Sequence, residues 1–145
     1  SIYSNYVKDL FPTNKEKKQI EEAVLAELKK VKFLNNKTFD VMIGIGGSIR
    51  ATKNMNNDMF ELSRENNIIF AENVSELLKE LKNSEKETLK RVLRTSPDRV
   101  HTLLPGMMIM DTVCQYVKCR NIVVSPYGVR EGYLYQKLFP MDNIK

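Results

Sequence analysis

Residues Phe39-Asp40-Val41-Met42-Ile43-Gly44-Ile45 form a run that is apolar almost throughout, and Gly46-Gly47 closes it. Such a run is too short for a helix bounded by glycine and reads as a β-strand. Its near-continuous apolar character predicts a strand covered on both faces, as in a parallel sheet. Parallel neighbours need long crossovers, usually helical, so this one segment commits the chain to an α/β arrangement. A second short strand is read at Asn121-Ile122-Val123-Val124-Ser125.

Helices account for most of the remainder. Thr13-Asn14-Lys15-Glu16 has the form of a capping box, and Ile20, Ala23, Val24, Leu28 and Val31 follow at helical spacing, predicting a helix over 14–32. Asn35-Asn36-Lys37 is turn chemistry, and a helix is expected from Ser48 to about Met55. The stretch after it reads as almost all helix. Asn73 and Ser84 each precede a glutamate by three residues, marking two more helix starts. Val74, Leu77, Leu78 and Leu81 line one face, and Leu89, Val92 and Leu93 line the next. Ser96-Pro97 is a cap followed by proline at the first helical position. Pro105 is expected to break the chain, with an apolar helix resuming from Gly106 to about Lys118. Tyr127 to Leu138 reads as a last helix. Two strands alone make a poor sheet with exposed edges, so further strands are expected from a preceding segment or a partner.

The chain has 145 residues, is 42% hydrophobic and 28% charged, and carries a formal net charge of +5. That is the composition of a globular domain, and a disordered tail or a collagen-like fibre is excluded. The longest apolar stretch, Thr102 to Val117, is interrupted by Pro105, Gly106 and Asp111, short of the roughly 18–20 residues that span a bilayer. Residues 1–13 lack the apolar core of a secretory leader and carry Lys8 and Asp9. A cytoplasmic location with no membrane partner is expected. The lysines at 15–18 and 29–32 alternate with glutamate as a solvated face, without the interleaved aromatics of a nucleic-acid platform. No nucleic-acid partner is therefore expected. Cys114 and Cys119 match no zinc spacing and are read as buried, reduced thiols rather than a redox pair.

The sharpest local signal for chemistry is Gly44-Ile45-Gly46-Gly47-Ser48-Ile49-Arg50. Glycines at a strand-to-helix junction let backbone amides approach a phosphate, and the helix start adds partial positive charge. Ser48 offers a hydroxyl, and Arg50 a cation able to approach an anion. The same glycines also fit a tight turn that serves only the backbone. The spacing is neither the dinucleotide fingerprint nor a P-loop. Arg99 follows Ser96-Pro97-Asp98 in a first helical turn, where it either pairs with Asp98 or meets an anion. Arg130-Glu131 between Gly128 and Gly132 reads as an internal salt bridge fixing a turn. His101 reads as packing or capping. No carboxylate is marked as a general base, and no nucleophile–base–orienter set emerges.

In order and spacing, three stretches together carry a resemblance: Gly46-Gly47-Ser48-Ile49-Arg50; Arg99-Val100 with Leu104-Pro105-Gly106; and Val123-Val124-Ser125-Pro126-Tyr127-Gly128-Val129-Arg130-Glu131-Gly132. The chain resembles the exopolyphosphatase / guanosine pentaphosphate phosphohydrolase (Ppx/GppA) family over nearly its whole length. The segment Ser125 to Leu134 is the most specific part, and Tyr3 to Glu16 is also similar.

The resemblance implies an α/β, helix-rich partial lobe of an actin-like (ribonuclease H-like) ATPase fold, with two short parallel strands and flanking helices. Residues 1–145 would be a single domain, the later part of the second lobe. The first lobe with its catalytic glutamate, and the Asp-x-Gly-Gly-Gly-Ser motif, are not in this sequence. The implied activity removes the terminal phosphate of inorganic polyphosphate or guanosine pentaphosphate with Mg²⁺. Gly46, Gly47 and Ser48 would face the phosphate cleft, with serine where the family more usually has threonine. Arg99 would reach a substrate phosphate, and Arg130, Glu131 and Gly132 would be structural. The isolated chain is expected to be inactive and to bind no metal alone. Its expected partners are the missing first lobe and, as in many family members, a second copy. The alternatives are a non-catalytic phosphate-sensing or dimerisation module of the same fold, or another actin-like ATPase or kinase.

Overall fold

The structure is a computed structural model, and it describes residues 10–126. Along the chain run α1 (Asn14–Lys29), a 3-10 turn (Lys32–Leu34), β1 (Val41–Gly44), α2 (Gly47–Met59), β2 (Ile68–Phe70), α3 (Ala71–Asn83), α4 (Glu85–Thr95), a 3-10 turn (Pro97–Arg99), α5 (Leu103–Val117) and β3 (Asn121–Val124). The expected last helix from Tyr127 to Leu138 lies outside the described residues.

The two strands expected from sequence pair in parallel, Val41 opposite Asn121 and Gly44 opposite Val124. A third strand was not expected. Ile68–Phe70 pairs antiparallel with β3, so the sheet is mixed, in the order β1-β3-β2. At three residues, β2 is too short for an alternating pattern to register, and it runs directly into α3. That abutment also corrects the start of α3: its cap position is Phe70, not Asn73. Ser84 does occupy the cap of α4, without a side-chain capping bond.

The capping box at the start of α1 is present as expected: Glu16 N–H donates to Thr13 Oγ1 at 3.1 Å, and Thr13 N–H donates to Glu16 Oε1 at 3.2 Å. The helix ends at Lys29 and the chain tightens into the 3-10 turn, short of the expected residue 32. Ile20, Val24 and Leu28 are only half-buried, and Ala23 is exposed.

Pro105 does not break α5. It stands in the helix's first turn, where the backbone N–H it lacks has no acceptor within the helix. Gly106 makes the first bond back, to the Thr102 carbonyl at 3.0 Å. The helix then serves two cores. Leu103, Leu104 and Met107 join Met55 of α2, Leu77 and Leu81 of α3, and Leu89 and Val92 of α4. One turn later Met110, Cys114 and Val117 pack with Ile69, Val74, Ile122 and Val124 under the sheet. Each such side chain contributes about 1.5–3 kcal/mol by leaving water. The expectation that this helix is core holds among the described residues. Leu93, expected on the buried face of α4, is instead 41% exposed.

The described helices cover one face of the sheet. Val41, Ile43, Ile68 and Phe70 point the other way and are exposed, Ile43 at 71%. Among the described residues, β1 is covered on one of the two expected faces. Among the described residues, no helix is long and apolar enough to cross a membrane.

Candidate anion site at the start of helix α2

Parallel pairing of β1 with β3 brings two chain exits to one edge of the sheet. Ser125, just past β3, donates its backbone N–H to the Gly44 carbonyl at the end of β1, 2.8 Å away. From there Ile45 and Gly46 turn the chain into α2. Gly46 holds φ +124° and ψ 173°, a conformation available essentially to glycine alone. The first helical bond runs from Arg50 N–H to the Gly46 carbonyl at 3.1 Å. The amides of Gly47, Ser48 and Ile49 therefore point out of the helix start with no acceptor inside it.

Arg99 comes from a distant part of the chain. The turn Pro97–Arg99 is fixed by Arg99 N–H donating to the Ser96 carbonyl at 3.0 Å, with Ser96 itself buried. From that turn the Arg99 guanidinium lies directly on Gly47, so that a β-carbon at residue 47 would overlap its Nη2 and Cζ atoms. Arg99 Nε is 3.6 Å from Asp98 Oδ2, and the Asp98 side chain is 77% exposed, so this pair is weak. Of the two sequence readings of Arg99, the pairing with Asp98 is present, and the guanidinium also sits at the glycine turn.

Ser48 is held from the other side. Its β-carbon would be 3.2 Å from a side chain placed at Gly106, so the absence of one in the first turn of α5 is what admits Ser48 there. The Ser48 carbonyl accepts from Thr52 Oγ1 at 2.8 Å. Gly46, Gly47, Ser48 and Arg99 therefore lie together at the start of α2. Arg50 is exposed on the same helical turn, and Arg130, Glu131 and Gly132 lie outside the described residues.

Two contributors were not nominated as site residues from sequence. Gly106 was visible only as part of Leu104-Pro105-Gly106, and a glycine inside an apolar helix was the available signal for close approach. Ser125 was visible as a polar residue ending a buried strand. His101 is exposed in the turn before α5, contrary to a packing role.

The groups that converge here are of the kind that suit an anion. A guanidinium, a hydroxyl and outward-facing amides are all donors, and the helix start adds positive potential. Mg²⁺ takes oxygen ligands, usually carboxylates. Among the described residues no three His, Cys, Asp or Glu side chains group to hold a metal ion. The groups at this turn do not fit Mg²⁺.

The opposite end of α2 carries a separate polar cluster. Asp58 Oδ2 accepts from Arg91 Nη1 at 2.6 Å and from Arg94 Nη2 at 2.7 Å, tying α2 to α4. It stands apart from the glycine turn and reads as a strut. The two thiols are free and buried; burial, reinforced by Cys119, pushes Cys114 up to about 12.

Comparison with known proteins places these observations in a family context. The Ppx/GppA phosphatase family model matches residues 1–140. A crystal structure of the Aquifex aeolicus member of the Ppx/GppA family superposes with a TM-score of 0.64 at 22% identity, covering 94% of this chain and 46% of that one. A structure of the Aquifex aeolicus PPX-GPPA enzyme gives 0.62 at 24% identity, covering 91% and 46%. The type II variant of the Aquifex aeolicus Ppx/GppA phosphatase gives 0.64 at 22%, covering 94% and 47%. The chain thus spans less than half the length of these structures, and its α/β, helix-rich architecture shares their actin-like fold. No curated protein matches it.

Proposed function

The chain belongs to the Ppx/GppA phosphatase family, and from that premise we propose that its glycine turn and Arg99 form one wall of a cleft for a terminal phosphate. The substrate class is a phosphoanhydride, inorganic polyphosphate or guanosine pentaphosphate. One observation carries the reading. Arg99 is a cation held against the positive end of α2, paired at 3.6 Å with the exposed carboxylate of Asp98. Two positive ends facing each other repel, and an anion seated between them turns repulsion into two attractions.

In this reading, the amides of Gly47 and Ser48, the Ser48 hydroxyl and the Arg99 guanidinium hold the non-bridging oxygens of the terminal phosphoryl group. They would favour the charge that develops there as water attacks phosphorus and the bridging P–O bond breaks. The base that activates water, and Mg²⁺, are assigned to the part of the family fold that this chain does not span. The chain alone is then a binding wall without hydrolytic activity.

The test is calorimetric titration of the chain with tripolyphosphate, beside Mg²⁺-dependent phosphate release from polyphosphate and guanosine pentaphosphate. Binding that weakens in Arg99→Ala, with no phosphate release, supports the proposal. Binding insensitive to Arg99 removes the wall, and phosphate release by the chain alone removes the assignment of catalysis elsewhere. A full-length parent that binds tripolyphosphate but hydrolyses neither substrate points instead to a phosphate-sensing module.

A further inference from the structure

Helices α1 and α3 both pack on α5, and between them runs a groove of about 350 Å³. A cavity of that size lies at the lower end of the range for small-molecule sites. Its floor is one face of α5, where Leu104, Met108, Asp111 and Gln115 follow at helical spacing. Room remains because α1 buries none of its residues fully, and Ile20, Val24 and Leu28 stay half-buried. Gly106, the α5 residue against Ser48, stands two positions after Leu104 and so on the far side of that helix. The groove is therefore separate from the glycine turn.

The groove carries opposite charge at its two ends. At one end Lys82 Nζ donates to Asn14 Oδ1 at 3.2 Å, tying the end of α3 to the start of α1. Lys17, one turn along α1, and Lys79, one turn back along α3, line the groove beside it. Among the described residues, none of these three lysines is in an ion pair. At the other end Asp111 accepts from Ser75 Oγ at 2.5 Å and from Gln115 Nε2 at 3.0 Å. Glu21, one turn beyond Lys17, lies toward that end. Leu78, Leu104 and Met108 give the stretch between an apolar surface, and Phe11 adds to it at the lysine end.

We propose that this groove binds a small amphiphilic anion, with a phosphate or carboxylate head at the lysine end and an apolar body over Leu104 and Met108. The floor from Leu104 to Asp111 is about 10 Å long, which sets the length of that body. Three cations facing one another across an apolar floor repel, and an anionic head among them is attracted by all three. Orientation follows from the other end, where the carboxylates of Asp111 and Glu21 repel a head placed there. Inorganic phosphate alone gains nothing from the floor, and an uncharged tail gains nothing from the lysines, so the ligand needs both parts.

The test is calorimetric titration of the full chain with octyl phosphate below its micelle concentration, beside octyl glucoside and inorganic phosphate. The proposal expects saturable octyl phosphate binding, about tenfold tighter than either control. Lys79→Gln combined with Lys82→Gln should weaken it about tenfold, with the thermal melt retained because both side chains are exposed. In protein carrying isotopically methyl-labelled methionine, the Met108 resonance, assigned with Met108→Leu, should shift on binding while that of Met59 on α2 stays. Loss of binding in Arg99→Ala, with the lysine variant unaffected, would place the anion at the glycine turn and overturn the proposal. Equal binding of octyl glucoside would remove the lysines from recognition, and a titration without saturation or a Met108 shift would remove the ligand from the groove. Either result overturns it as well.

Discussion

The Arg99 guanidinium occupies the space that a side chain at residue 47 would fill. Glycine at 47 is therefore a condition for where that cation rests, quite apart from any demand of the turn. Gly47→Ala should displace the arginine while improving helix propensity at the first position of α2. The expected result is a melting temperature equal to wild type or higher, with tripolyphosphate affinity reduced about tenfold, near 1.4 kcal/mol. Calorimetry beside a thermal melt checks this. Unchanged affinity would mean that Arg99 does not contribute from this position.

Gly46 makes a different demand. Its φ of +124° is one that residues with a β-carbon rarely adopt, although nothing lies within 4 Å of where that carbon would stand. Gly46→Ala should therefore cost backbone strain with no clash, about 1–3 kcal/mol. Differential scanning calorimetry should show a melting temperature lower by roughly 3–10 °C. A neutral substitution would sink the assignment of strain to this residue.

Burial raises the Cys114 thiol from 9.0 to about 12. The sign follows from which state holds the proton. Between those values the folded chain keeps a proton that the unfolded chain releases, so stability is full below about 9 and declines as pH rises toward 12. Urea midpoints measured from pH 7 to 11 should hold level and then fall. Cys114→Ala should be less stable throughout through lost packing, and its fall above pH 9 should be shallower.

Asp58 receives two arginines from α4, and at 31% exposure it is partly withdrawn from water. Asp58→Asn should loosen α4 from the end of α2 at a cost of about 1–2 kcal/mol, since hydrogen bonds to charged groups are the stronger kind. A double-mutant cycle with Arg91→Met isolates the pair. Coupling near zero would show that the bridge contributes orientation without stability. Tripolyphosphate affinity should not change, because the glycine turn is at the other end of the helix.

Legibility from sequence followed the length of each signal. The capping box at Thr13 and the apolar faces of α3 and α5 repeat over several turns, and those helices are present, although α3 and α5 each start three residues earlier than expected and α1 ends at Lys29. Strand β2 failed to register because Ile68-Ile69-Phe70 gives three residues and flows into a helix whose own periodicity absorbs them. Pro105 misled because proline's effect depends on its distance from a helix start that the sequence does not mark; Thr102 makes no side-chain capping bond. At the site, Gly46, Gly47 and Ser48 were readable as local chemistry. That Arg99 lands on Gly47, and Gly106 on Ser48, depends on how α5 crosses α2, which no local pattern encodes. Covering of β1 on both faces was inferred from composition alone, and the described helices supply one of the two layers.

The parallel pairing of β1 with β3 has a kinetic consequence. Among the described residues, the strand beside β1 comes from the far end, after four helices and another strand have intervened. Loop-closure entropy opposes such a contact until the intervening helices have condensed. The glycine turn, Arg99 and Ser125 meet only when that closure is made. The phosphate wall is therefore expected to be among the last parts to assemble during refolding, after the helical core, and an anion bound there would act as a latch on the completed topology.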